Sequence, residues 1–139
     1  MAASAAGWTS EFYDIPYGPL GVIAMPGCEE LGDNINRWLM KWHDLQEVQD
    51  QEYYTNPGMD RDSFLIKAYC PRFGTGEGKG VLKESVRGLD IYIISDVTAY
   101  DITYRMYDLE VPMSPDDHFQ DLKRIIAAIG GKGKRVNRS

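Results

Sequence analysis

The sequence predicts an α/β fold built on a parallel sheet, and three observations carry that reading. Gly21-Val22-Ile23-Ala24-Met25 is a short apolar run that stops at Pro26-Gly27 and gives way to a helical period. Strand, turn and helix in that order open a β-α-β unit, whose continuation is a parallel strand. A second run, Leu89 to Val97, is apolar at both alternating positions, as in a strand covered on two faces. Finally, Ser114 to Ile129 has both the start signal and the periodicity of an amphipathic helix.

A chain of 139 residues with 43% hydrophobic and 26% charged residues has the composition of one folded domain. The net charge is -6, and Lys132, Lys134, Arg135 and Arg138 supply four of the 15 cations at the very end, so the body is more acidic still. An acidic body disfavours nonspecific nucleic-acid binding, and the terminal cations read as a solvated tail after a helix. Cys28 and Cys70 are isolated, without CxxC or Cys/His spacing, so they read as two packing or bystander thiols. No run reaches the length of a membrane span, and Met1 to Trp8 lacks the basic start and apolar core of a signal peptide. A cytoplasmic protein is expected, with no membrane partner.

In chain order, residues 1–20 read as a loose lead-in and residues 21–139 as the domain. After the first strand, Leu31, Ile35, Trp38, Leu39 and Trp42 recur at spacings of three and four, which makes an amphipathic helix. Asp44 to Asp62 loses the period and contains Asn56-Pro57-Gly58, so it reads as a surface excursion. Ser63 to Cys70 alternates, with Phe64, Ile66, Ala68 and Cys70 on one face, and reads as a strand. Val81 to Val86 alternates more weakly and should pair with it as a hairpin. Leu89 to Val97 would then be the central strand, between helices. In Thr98 to Met113, Tyr100, Tyr104 and Tyr107 lie four and three apart, which allows a short helix; packing is the simpler use of such a stripe, recognition the other. Ser114 is an N-cap, Pro115 fits the first helical position, and Asp116 and Asp117 suit the positive end of the helix dipole. Phe119, Leu122, Ile125, Ile126 and Ile129 form the expected buried stripe, ended by Gly130-Gly131. Arg135-Val136-Asn137 looks like another strand starting, so the chain is expected to be cut mid-domain.

The stretch between the hairpin strands carries the most chemistry. In Arg72 to Gly80, four glycines alternate with Thr75, Glu77 and Lys79. Glycine amides approach phosphate oxygens unhindered, so a phosphate cradle is one reading and a plain mobile hairpin the other. It is not a Walker loop, since no Ser or Thr follows Gly78-Lys79. His43 and His118 lack metal-ligand spacing, and a solvated or packing role is simpler for His118. Asp96 lies near the carboxyl end of an apolar strand, where open α/β sheets place ligands, though turn chemistry explains it equally well.

Arg72-Phe73-x-x-Gly76-Glu77, then Glu84-Ser85-Val86-Arg87-Gly88-x-Asp90 and the apolar Ile91 to Ser95, resemble the N-terminal domain of ribose-phosphate pyrophosphokinase, also called phosphoribosyl pyrophosphate synthetase. The family carries Arg-Phe-Ser-(Asp/Asn)-Gly-Glu followed by Glu-Ser-Val-Arg-Gly-x-Asp. The likeness spans Gly21 to Val136, with insertions at Asp44 to Asp62 and Thr98 to Met113. It implies a partial three-layer, phosphoribosyltransferase-like parallel sheet with a β-hairpin, incomplete at the C-terminus. It also implies Mg2+-dependent transfer of pyrophosphate from ATP to ribose 5-phosphate at a site often completed by a neighbouring subunit, hence a homo-oligomer. Phe73 would stack on the adenine, Glu77 would accept a hydrogen bond from its exocyclic amine, and Thr75 stands where the family has Asp or Asn. Gly74 replaces the family's Ser. The family's metal ligands and ribose-phosphate loop have no counterpart in the sequence, so the chain alone is expected to be inactive. The alternatives are a noncatalytic relative that associates with full-length subunits, and a small nucleotide-binding module.

Overall fold

The computed structural model describes residues 18–49 and 61–131. The lead-in before Gly18, the Asn56-Pro57-Gly58 turn and the basic stretch after Gly131 lie outside the described residues. The described chain is a mixed α/β structure with small parallel and antiparallel sheets. The order is β1 (Leu20–Ala24), α1 (Glu29–Gln49), β2 (Ala68–Tyr69), β3 (Val81–Leu82), β4 (Asp90–Ile94), β5 (Thr103–Met106), β6 (Leu109–Pro112) and α2 (Pro115–Gly131).

The first apolar run folds as expected, since Val22 and Ile23 can leave water only by pairing their backbone groups. β1 pairs in parallel with β4, with Val22 opposite Tyr92 and Ile23 opposite Ile93. On its other side, the Val22 N–H donates to the Phe64 carbonyl and the Ile66 N–H to the Val22 carbonyl, both at 2.8 Å. Therefore β1, and not the Leu89 to Val97 run, holds the middle position among the described residues. β4 has β1 as its one hydrogen-bonded neighbour there, and Tyr92 is 66% exposed, so this strand is not covered on both faces.

The alternation in Ser63 to Cys70 gives the facing correctly: Phe64 and Ile66 are buried and Tyr69 is exposed. Its pairing changes partner partway. Leu65 bridges to β1, whereas Ala68 and Tyr69 turn away to pair antiparallel with Leu82 and Val81. Val81 to Val86 is correspondingly shorter as a strand than its alternation suggests, and ends at Leu82.

α1 runs to Gln49, so the first residues of the expected surface excursion continue the helix. It packs on β1 and is tied to the neighbouring strand by Asn36, whose Oδ1 accepts from the Phe64 N–H at 2.8 Å. Leu31, Trp38, Trp42 and Leu45 on another side of this helix are more than half exposed.

Thr98 to Met113 is the clearest departure from expectation. Thr103 to Met106 and Leu109 to Pro112 form an antiparallel hairpin, with Tyr104 opposite Val111 and Met106 opposite Leu109. The three tyrosines suggested a helical spacing, but Thr103, Tyr104 and Val111 are β-favouring residues, and cross-strand pairing satisfies backbone groups that an isolated short helix would leave free.

α2 begins as its sequence dictates. The Ser114 N–H and hydroxyl donate to Asp117 Oδ2 at 3.0 and 2.8 Å, and the Asp117 N–H donates back to Ser114 Oγ at 3.2 Å. This reciprocal cap satisfies donors that the first helical turn leaves unpaired. The Ser114 backbone N–H is the main influence holding the Asp117 carboxyl below the usual carboxylate range. Because the folded-state value is lowered, the stabilisation stands above the ordinary value of about 4 and is lost as pH falls through the folded one. Ser114→Ala is expected to lower stability by about 1 kcal/mol in urea unfolding at pH 7. Wild type should also lose stability more steeply than Asp117→Asn as pH falls through that acid window.

The buried face of α2 is rotated from the expected stripe. Ile125 is 0% exposed and belongs to the core with Ile23, Met25 and Ile66, but Phe119 and Ile126 are more than half exposed. His118 and Asp121 are buried in their place. Both polar groups have partners, which is what makes their burial tolerable. His118 Nε2 lies 2.9 Å from the Ala99 carbonyl, and since a carbonyl only accepts, this nitrogen carries the proton. Asp121 is paired at the loop described next.

Candidate functional site

The glycine-alternating loop is a closed hairpin rather than a slack one. Arg72 and Gly78 form an antiparallel bridge beyond β2 and β3. The Phe73 N–H donates to the Glu77 carbonyl at 2.7 Å, the Gly76 N–H to the Phe73 carbonyl at 2.8 Å, and the Lys79 N–H to the Pro71 carbonyl at 3.1 Å. Three loop amides are thus committed internally, which weakens the phosphate-cradle reading, since a cradle offers its amides to the ligand.

Beneath the loop lies a charge cluster that the sequence does not advertise. Arg72 Nη2 pairs with Asp121 Oδ2 at 3.1 Å, both side chains being about 5% exposed or less. The other Asp121 oxygen takes Arg124 Nη1 at 2.6 Å, from the next turn of α2. Asp121 therefore joins two guanidinium groups. The Arg72 guanidinium also stands 4.7 Å from the centre of the Tyr104 ring on β5, where the negative face of the ring attracts it. Among the described residues, Arg72 Nε has no hydrogen-bond partner. One residue thereby connects the loop with both α2 and the β5–β6 hairpin.

Two of the glycines serve this packing. A β-carbon at Gly78 would fall 2.7 Å from Arg72 Nη1 and 2.9 Å from Arg124 Nη1, and one at Gly80 would fall 2.7 Å from the Arg124 carbonyl carbon. Their bare backbone is what lets the hairpin lie directly on the two arginines and on α2. Cys70 belongs to the same junction: its thiol is 3.7 Å from the Asp121 carbonyl, and burial pushes it up to about 11. It is packed and protonated at neutral pH, in keeping with a bystander thiol.

Phe73, Thr75 and Glu77 lie together on this one turn and all face solvent, with Phe73 51% exposed. The turn offers an apolar ring, a hydroxyl and a carboxylate side by side, the inventory for stacking on a planar ligand and accepting a hydrogen bond from its edge. Asp96 stands elsewhere and is occupied locally: its Oδ1 accepts from the Thr98 N–H at 2.8 Å and the Thr98 hydroxyl at 2.7 Å. Those hydrogen bonds, the hydroxyl's foremost, keep its carboxyl below the ordinary range, so turn chemistry accounts for it. His43 packs edge-on to Phe64 at 6.3 Å.

Among the described residues, no group of three His, Cys, Asp or Glu side chains is placed to hold a metal ion, and no helix is long and apolar enough to cross a membrane. Asp121 and Arg124 could have been flagged from sequence only by noticing a carboxylate inside the apolar stripe of α2, three residues before an arginine. No family model matches the chain, and neither a curated protein nor a solved structure matches it.

Proposed function

We propose that this chain supplies an adenine-binding loop of the ribose-phosphate pyrophosphokinase kind, for transfer of pyrophosphate from ATP to ribose 5-phosphate. The observation that carries the reading is Phe73, a ring left half exposed on a turn whose other side is braced by buried ion pairs. An exposed ring on a fixed support loses little freedom when a base stacks on it. Glu77 on the same turn accepts from the exocyclic amine of adenine, and Thr75 offers its hydroxyl to the base edge. Phosphoryl-type transfer depends on neutralising charge and positioning the reacting groups, and the family's metal ligands and ribose-phosphate loop have no counterpart in the sequence. The chain is accordingly read as a contributor to a site, inactive by itself.

Stacking on an aromatic side chain contributes about 1–3 kcal/mol per base, so Phe73→Ala should weaken ATP binding by roughly fivefold to 150-fold by titration calorimetry. Adenosine should compete with ATP and inorganic tripolyphosphate should not. Competition by tripolyphosphate with no effect of Phe73→Ala would return the loop to a phosphate role and sink the adenine reading.

A second reading, a noncatalytic relative that associates with full-length subunits, is favoured by the exposed Leu31, Trp38, Trp42 and Leu45 of α1. It gains if the chain self-associates in solution while binding no adenosine.

A further inference from the structure

The β5–β6 hairpin turns in two residues, Tyr107 and Asp108, between the paired Met106 and Leu109. Tyr107 has φ 56°, and it is the one non-glycine residue with positive φ among those described. A positive φ at the first of two turn residues is a place that glycine fills without strain, and a bulky side chain there costs on the order of 1–2 kcal/mol. The hairpin does not need a ring at this point, because Tyr107 is 75% exposed and so contributes little to the core. A strained backbone holding an exposed aromatic side chain points to a use outside folding.

Its position supplies that use. A β-carbon on Gly74 would lie 2.9 Å from the Tyr107 hydroxyl and 3.3 Å from the ring edge, so the Tyr107 ring reaches over the residue next to Phe73. One at Gly76 would lie 3.4 Å from the Met106 sulfur, so the tip of this hairpin meets the loop at both glycines. The Tyr107 ring thus reaches the residue that follows Phe73, which has no side chain of its own.

Building on the adenine reading above, we propose that Tyr107 is a second base-contacting residue of that subsite. Its ring borders the planar ligand beside Phe73, and its hydroxyl, both donor and acceptor, faces the edge of the base and helps select it. The ligand class is a nucleobase with a hydrogen-bonding edge.

Removing the ring without harming the turn is possible here, since glycine and asparagine both accept this φ. Tyr107→Gly and Tyr107→Asn in the full chain should leave the thermal midpoint unchanged or raise it, and should each weaken adenosine binding about tenfold by calorimetry. Tyr107→Phe should retain most of the affinity but narrow the preference for adenosine over inosine, whose base edge differs. If Phe73→Ala weakens adenosine binding while the Gly and Asn variants bind as wild type does, Tyr107 is only seated on the loop and the proposal fails alone. If adenosine binding is absent from wild type, or unaffected by any of these changes, the adenine reading fails with it.

Discussion

Asp121→Ala should be among the most damaging single changes in the chain, lowering stability by about 3–5 kcal/mol, the usual effect of removing one partner of a buried ion pair. The reason is what it leaves behind. The Arg72 side chain is 4% exposed and cannot turn to water, and Asp121 also holds Arg124, so one substitution strands one buried cation and releases another. Total stability of a single domain is about 5–15 kcal/mol, so the loss takes a large share and should lower the thermal midpoint by roughly 10 °C or more. Asp121→Asn keeps the shape and one acceptor and should fall between the two. A double change, Arg72→Met with Asp121→Leu, should recover much of the loss, because apolar replacement of a buried pair removes the desolvation cost together with the attraction. An Asp121→Ala variant within about 1 kcal/mol of wild type would mean the pair behaves as a surface one, since exposed pairs are worth no more than that.

Ile125→Ala should cost about 2–5 kcal/mol, as expected for deleting a large side chain from a core that cannot fully close over the cavity. Ile125 is 0% exposed and packs in the cluster of Ile23, Met25 and Ile66. Its neighbour gives the control. Ile126 is 53% exposed, so Ile126→Ala should change stability by less than about 0.5 kcal/mol. Urea unfolding of both variants, compared at equal slope, reads the orientation of α2 directly. Equal losses at the two positions would contradict the rotated face.

That rotation shows what the sequence could and could not reveal. Local signals were legible because their chemistry is local: Ser114-Pro115-Asp116-Asp117 caps a helix through contacts no more than three residues apart, and the burial of Phe64 and Ile66 against the exposure of Tyr69 follows an alternation between near neighbours. Residues whose roles depend on distant partners were not. Asp121 was not singled out in the sequence, because its partner Arg72 is 49 positions away. The Gly78 and Gly80 positions looked like flexibility, and their tight approach to Arg72 and Arg124 is a tertiary fact. The β5–β6 hairpin was hidden by tyrosines at a helical spacing, of which only Tyr104 lies in a strand while Tyr107 sits in the turn. Within the candidate site, Phe73, Thr75 and Glu77 were accessible from a motif, whereas Tyr107 was classed with packing residues because only the strain and the meeting of two tips distinguish it.

The link between Arg72 and Asp121 also imposes an order in time. A polypeptide emerges from its N-terminus onward, and contacts between distant positions must wait for the later partner. When the loop leaves the ribosome, the helix that neutralises Arg72 has not yet been made, and Gly78 and Gly80 have nothing to rest on. The turn bearing Phe73 acquires its support only when α2 docks, so a nascent chain that stops before Asp121 would display the residues of the loop without the geometry that makes them a surface for a ligand.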